Sequence, residues 1–264
     1  MAEFQFSEMF PQDKADTPYR LLTTDYVETD EYRGSKVLRV DRRALTELTA
    51  EAVRDISHLF RPGHLDQLAK ILGDPAATDN DRVVARTLLE NANVSAGMVL
   101  PSCQDTGTAN VMAKQGQQVW THGEGGEPGG DEEAIAAGVF RTYGETNLRY
   151  SQVAPITTFE EVNTGTNLPA QIDILGVDGD EYHFLVITKG GGSANKTFLF
   201  QQTRAVLDPE LLLKFLEEKM RTLGTAACPP YHLGIVIGGT SAELVLKTVK
   251  LASCRYLDGL PTSG

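Results

Sequence analysis

Apolar positions recur three or four apart through most of the chain and alternate with period two in a few short runs. From Asp41 the residues Leu45, Leu48, Ala52, Ile56, Leu59 and Phe60 form one apolar stripe, which predicts a helix stopped at Pro62-Gly63. Leu65, Leu68, Ala69 and Leu72 predict a shorter helix ended by Gly73-Asp74-Pro75, and Thr78 with Asp81 supplies a capping box for a third, through about Asn93. The apolar triplet 98–100 predicts a short strand halted by Pro101, and Val111 with Met112 resumes a strand. Asp131 opens a helix with Ile135, Val139 and Tyr143 inward, leading to 147–150, where Arg149 falls between element and loop.

Residues 170–177 and 182–188 flank Asp178-Gly179, a strong hairpin signal, and the second run leads directly into Lys189 and three glycines. Asp208-Pro209 opens the best-marked helix, with Leu212, Phe215, Leu216 and Met220 as its stripe and Gly224 at its end. Residues 233–237 predict a buried strand turned by Gly238-Gly239, and 240–253 a closing helix with Leu244, Val245, Thr248 and Leu251 inward. The stretch 123–130 is almost purely Gly, Pro and Glu and predicts a mobile acidic surface loop without chemistry. Residues 1–40 predict an N-terminal arm with two edge strands, at 19–24 and 36–40. The expected class is α+β: a mixed β-sheet flanked by helices, one large domain over 41–264.

At 264 residues and 41% hydrophobic content the chain can bury a normal core. Its 24 basic and 36 acidic side chains give a net charge of -12, which repels phosphate backbones and anionic lipid, so neither nucleic acid nor membrane is an expected partner. A few arginines can still build a local pocket for a small anion. No apolar run approaches a membrane span and residues 1–16 carry no leader pattern, so the expected location is cytoplasmic. Three widely spaced cysteines argue for reduced thiols or metal ligands, not a disulfide framework.

Candidate chemistry gathers in 99–108, where Cys103, Gln104 and Asp105 share a loop bounded by Pro101 and Gly107. Cys228 stands before Pro229-Pro230, which should hold it extended with amides free to face the sulfur. On residue chemistry alone two readings stand: ligands of one iron-sulfur cluster, or two ordinary half-buried thiols. Zinc at Cys228 and His232 lacks a compact second pair. Residues 190–197 approach a phosphate loop but place Asn195 where its second glycine is needed, although three glycines suit close approach of an anion. Arg149 suits a bidentate carboxylate grip or a surface ion pair, and Asp105 proton transfer or a turn. His58 and His64 are expected at the surface or satisfied in the core.

Pro101-Ser-Cys-Gln-Asp-Thr-Gly-Thr108, Asn147-Leu-Arg-Tyr-Ser-Gln152, Glu161-Val-Asn-Thr-Gly-Thr-Asn-Leu-Pro-Ala-Gln171, Lys189-Gly-Gly-Gly-Ser-Ala-Asn-Lys196 and Met220-Arg-Thr-Leu-Gly-Thr-Ala-Ala-Cys-Pro-Pro-Tyr-His232 resemble the iron-sulfur-dependent class I fumarate hydratases. The likeness covers nearly the whole chain and matches their N-terminal domain. It implies a hydro-lyase of the tricarboxylic acid cycle that interconverts fumarate and (S)-malate, acts as a homodimer, and uses a 4Fe-4S cluster as Lewis acid. Cys103 and Cys228 match two of three cysteine ligands. The third lies in a Ser-Cys-Pro context that 1–264 does not contain, and Cys254 is expected to be a packing thiol. By the same resemblance Gln104, Asp105, Arg149 and the Gly192 backbone contact the dicarboxylate, with Asp105 catalytic. The C-terminal domain is expected to be absent, and this chain alone inactive. L-tartrate dehydratase, which shares the chemistry, and a non-catalytic iron-sulfur domain are the alternatives.

Overall fold

The computed structural model describes residues 19–194, 196–239, 241–257 and 259, with 3–6, 8 and 10 of the arm. They form two compact units, Leu21–Gly191 and a second made of 1–20 with 192–264, each described by itself. Among the described residues no helix is long and apolar enough to cross a membrane.

The Leu21–Gly191 unit is built around one buried strand. Strands β1 (Val27–Tyr32), β2 (Ser35–Asp41), β3 (Thr108–Gly116) and β4 (Val119–His122) are joined by the short β5 (Val153–Pro155) and β6 (Glu161–Asn163), then β7 (Gln171–Val177) and β8 (Tyr182–Lys189). One sheet runs β1-β2-β4, a second β7-β3-β8, and β5 pairs with β6. Both three-stranded sheets are mixed, since β2 pairs antiparallel with β1 but parallel with β4, and β3 pairs parallel with β7 but antiparallel with β8. The α+β class read from the periodicities therefore holds.

The hairpin expected at Asp178-Gly179 does not form, because β3 lies between its two strands. Ala109, Val111 and Ala113 are buried to 2% or less, and a strand so apolar lowers its free energy by gaining partners on both edges. Residues 178–181 instead bridge roughly 10 Å, two strand spacings, and wrap the end of β3. Gly116 donates its N–H to the Glu181 carbonyl, and Gln118 to that of Gly179.

Four helices belong to this unit: α1 (Arg42–His58), α2 (Pro62–Gly73), α3 (Asp79–Ser95) and α4 (Asp131–Glu145). Asp41 caps α1 by accepting the Arg43 N–H, and the Arg43 guanidinium holds its carboxyl below the usual carboxylate range. The Thr78–Asp81 capping box opens α3 as expected, whereas Pro62, read as a stop, occupies the first turn of α2. The buried line of α1 is Leu45, Thr49, Ala50, Val53, Ser57 and His58; the predicted stripe lies beside it, and Leu59 is exposed. The rotation follows from the partner: α4 crosses α1 at Gly138, where a Cβ would stand 2.6 Å from the Thr46 carbonyl oxygen, so small and hydroxyl residues make the seam. Thr46 donates to the Ala134 carbonyl, Thr142 to that of Ala50, and Arg141 binds Glu47 with two bonds of 2.6 and 2.8 Å. The core closes beneath this pair, through Val40, Leu45, Val111, Val119 and Ile135 and through Val53, Ala109, Val139, Tyr143 and Leu148. His58 is a satisfied core imidazole, its Nδ1 2.7 Å from the Arg54 carbonyl.

Other expectations shift. Residues 19–24 form no strand; the edge strand is β1, joined to β2 by Arg33-Gly34, whose φ values of 53° and 81° make a primed two-residue turn. Residues 98–100 are bends, with φ +61° at Met98, and the Asn147 amide takes the Val99 carbonyl. The 123–130 loop is tethered: Arg42 donates to the Glu127 carbonyl and Arg43 pairs with Glu124 at 3.2 Å.

In the other unit, α5 (Gly191–Ala194) is one turn that begins at the unit boundary, followed by α6 (Pro209–Arg221) and α7 (Ala242–Ser253). Asp208 caps α6, Leu212, Phe215 and Leu216 are half-buried, and Met220 is exposed. Residues 233–237 are not a buried strand. Gly234 lies against α7, where a Cβ would stand 2.8 Å from the Ser253 nitrogen, so Leu233, Ile235 and Ile237 point outward and no described strand pairs with them. In α7 Leu251 is fully buried and Leu244, Val245 and Thr248 half-buried, as the period requires.

Two outcomes test this packing. Gly138→Val should destabilise the unit by about 2–4 kcal/mol in urea unfolding followed by the single tryptophan, Trp120, because backbone atoms block the new methyls; a loss near zero would reject the close crossing. The Arg141 bonds depress the Glu47 carboxyl, so the pair stabilises above the ordinary glutamate range and loses that effect as pH falls through the lowered value. Arg141→Met should cost about 0.5–1 kcal/mol at pH 7, screened because both groups are partly exposed, and progressively less as the pH falls through the lowered Glu47 value.

Candidate functional site

The Cys103 loop leaves α3 and enters β3, and both ends are pinned. At its start Ser102 donates its N–H to the Ser57 carbonyl at 2.8 Å while the Asn91 amide takes the Ser102 carbonyl. At its end Tyr143 spans the Thr106 and Gly107 carbonyls at 2.9 and 3.1 Å. Burial, reinforced by the Asp105 carboxylate, raises the Tyr143 hydroxyl above its ordinary value, so it stays a neutral donor at physiological pH. Between the pins Cys103 and Gln104 are exposed and Asp105 is half-buried. The Asp105 N–H donates to the Cys103 sulfur at 3.4 Å.

Pairing of β3 with β8 places Thr108 opposite Lys189 and brings Gly190 against this loop. At Gly107, with φ +73°, a Cβ would lie 2.4 Å from the Lys189 carbonyl carbon; at Gly190 it would lie 2.7 Å from Asp105 Oδ2. The two turns interlock, and each needs its glycine.

Arg149 follows α4 in an exposed segment bonded to the same loop. Thr106 Oγ1 donates to the Arg149 carbonyl, the Gly107 N–H to Ser151 Oγ at 3.0 Å, and Thr108 Oγ1 to Gln152 Oε1 at 2.8 Å. Asn167, fully buried, accepts from the Ser151 and Gln152 N–H groups and donates to the Gly107 carbonyl. Cys103, Gln104, Asp105 and Arg149 thus belong to one bonded frame within the Leu21–Gly191 unit. Sequence reasoning read Tyr143 only as an inward core residue and gave Thr106, Ser151 and Asn167 no role of their own.

Gly192 and Cys228 belong to the other unit, where Gly192 lies against the two residues before Cys228: a Cβ on Gly192 would sit 3.4 Å from the Ala226 carbonyl and 3.6 Å from Ala227 Cα. Cys228 is exposed, but it is not extended. Its φ is +59°, because its N–H closes a turn on the Thr225 carbonyl at 3.1 Å, and Tyr231 braces that turn by donating to Gly224 O and accepting from Ala227 N. A cysteine held in the left-handed region, its thiol facing solvent, is strained backbone of the kind found at functional sites. Cys254 donates to the Leu251 carbonyl at 3.1 Å, as befits a packing thiol. Among the described residues no three His, Cys, Asp or Glu side chains gather as a metal site, and Asn195 of the loop compared with a phosphate loop lies outside them.

Each unit exposes one cysteine sulfur, that of Cys103 accepting an amide N–H, and sulfur is a soft donor that suits iron-sulfur chemistry better than a hard cation. The Asp105 carboxylate shares the Cys103 loop, and the segment that carries Arg149 is bonded to that loop through its backbone.

Comparison with known proteins adds an independent finding. Residues 46–262 match the profile of the fumarate hydratase (Fumerase) family. The chain is 58% identical over 261 residues to the aerobic class I fumarate hydratase of Escherichia coli (strain K12), covering 99% of this chain and 46% of that protein. It is 53% identical over 268 residues to fumarate hydratase 2 of Leishmania major, again 46% of the relative's length. The alpha subunit of L(+)-tartrate dehydratase from Escherichia coli (strain UTI89 / UPEC) is more distant, at 29% over 208 residues, 75% of this chain and 63% of that subunit. The chain thus spans about half the length of its fumarate hydratase relatives.

Gly190→Ala should push the Asp105 carboxylate aside and cost about 1–3 kcal/mol in urea unfolding, and adding Asp105→Ala should recover most of the loss. Additive losses in the double variant would show that the two turns do not interlock.

Proposed function

The chain belongs to the fumarate hydratase family, and we propose that it supplies the Cys103, Asp105 and Arg149 part of a class I hydro-lyase site that adds water to fumarate to give (S)-malate, and reverses that reaction. The observation that carries the reading is the frame in which Cys103, Asp105 and Arg149 are tied by hydrogen bonds through Thr106 and Gly107. Fumarate is favoured over tartrate by the identities, 58% against 29%.

Cys103 and Cys228 would hold the proposed 4Fe-4S cluster, with a third thiolate that the resemblance places in a Ser-Cys-Pro context and that Cys254, in Ser-Cys-Arg, does not match. When bound, the cluster supplies a Lewis acid for the hydroxyl and a carboxylate oxygen. The remaining work falls to this chain's side chains. Arg149 grips a carboxylate through its planar fork, which also favours the charge that builds on that carboxylate when a proton leaves the adjacent carbon. Gln104 and the Gly192 backbone N–H orient the other polar atoms of the substrate. Asp105 moves the proton at that carbon or holds the group that moves it, with its carboxylate fixed against Gly190 so that little reorganisation is needed. The reaction is a step of the tricarboxylic acid cycle, and a cytoplasmic homodimer is the proposed working form.

The test is anaerobic reconstitution with iron and sulfide of this chain and of the chain joined to the remainder of a class I relative. Iron content, visible spectrum, fumarate hydration and, by light scattering, mass are followed. The joined protein should take up an oxygen-sensitive cluster and hydrate fumarate; Cys103→Ala or Cys228→Ala should abolish uptake, and Asp105→Asn should keep the cluster while lowering kcat by about 10²- to 10⁴-fold. Normal turnover in Asp105→Asn, or uptake without Cys228, would overturn these roles.

A further inference from the structure

We infer that Asn167 is a positioning residue: its amide fixes Asp105 and Arg149 relative to each other without touching either side chain, and so sets the spacing at which a dicarboxylate is held. The inference rests on reading Asp105 and Arg149 as substrate contacts.

Asn167 is 0% exposed and has φ +55°. Its Oδ1 accepts the N–H groups of Ser151 and Gln152 at 3.0 and 3.1 Å, and its Nδ2 donates to the Gly107 carbonyl at 3.0 Å. Gly107 lies two residues after Asp105, and Ser151 two after Arg149. One amide thus bridges the segment carrying the carboxylate to the segment carrying the guanidinium.

The chemistry demands this side chain. Glycine would accept the positive φ but provide no bond; aspartate would set an oxygen against the Gly107 carbonyl and bury a charge; glutamine is one methylene too long. The other ties between the segments, Thr106 Oγ1 to the Arg149 carbonyl, the Gly107 N–H to Ser151 Oγ and Thr108 Oγ1 to Gln152 Oε1, each run directly from one segment to the other, whereas Asn167 comes from a third segment and bonds to both. Its own place is set by β7, whose parallel register puts Gln171 opposite Asn110 and therefore brings the residues before Gln171 beside the start of β3.

Asn167→Gly, which keeps the backbone conformation, and Thr106→Val, which cuts the other tie, are compared with the unmutated protein. Amide hydrogen exchange at Ser151 and Gln152 should accelerate about 10- to 100-fold in Asn167→Gly while the amides of Val111 and Ile135 keep their rates. Should Asn167→Gly fail to fold, Thr106→Val carries the same measurement at Arg149 and Ser151. In the joined, cluster-loaded protein Asn167→Gly should raise KM for fumarate about 10-fold or more, and Arg149→Lys should add less than its full effect in that background. The same cycle read as affinity for succinate, a dicarboxylate that cannot react, keeps the test independent of turnover. Unchanged exchange at 151–152, or strictly additive effects of the Asn167 and Arg149 substitutions on succinate affinity, would overturn the inference. Absence of fumarate turnover in the unmutated protein, with non-additive succinate affinities, would instead overturn the fumarate reading and leave the positioning role supported.

Discussion

Pairing of β3 with β8 sets Thr108 opposite Lys189, and pairing with β7 sets Asn110 opposite Gln171. Those two registers bring the Cys103 loop, Gly190 and the approach to β7 to one end of one strand. Because side chains alternate along a strand, a slip of one residue would turn Val111 out of the core, so burial enforces the register and the register enforces the site. The loops themselves have little apolar surface with which to find each other.

Helix packing determines the remaining distance. The small seam at Gly138 lets α4 lie close on α1, and Tyr143, one turn further along α4, reaches under the loop to the Thr106 and Gly107 carbonyls. The chain leaving α4 then delivers Arg149 beside Thr106. Stability and function share the same residues here: Tyr143 is at once a core side chain and a donor to the loop, as expected where a site is built on rigid elements.

The second unit is built differently. Its helices are capped and amphipathic, but few side chains among its described residues are fully buried, and Cys228 sits in a positive-φ turn braced by the Tyr231 hydroxyl. The resemblance assigns the two cysteines to one centre; what the fold adds is local preparation of each thiol, by an amide N–H at Cys103 and by a positive φ at Cys228.

Local signals were enough for the elements whose free energy is local. The Thr78–Asp81 box, the Asp208-Pro209 start and the inward face of α4 were legible because a cap or a 3.6-residue period acts within a few residues. Cys103, Asp105, Arg149 and Cys228 stood out as candidates through the motifs that carry the resemblance, since residue chemistry alone left a bland reading open beside each. Tertiary structure alone decided the rest. Residues 170–188 carry a hairpin signal, yet the gain from pairing β3 on both edges exceeds that of a local turn. The charged run of β1 shows little strand propensity, but a primed turn and the β2 edge make it one. Asn167 looks like any loop asparagine until two segments distant in sequence present their backbone groups to one buried point, and no local pattern encodes that meeting.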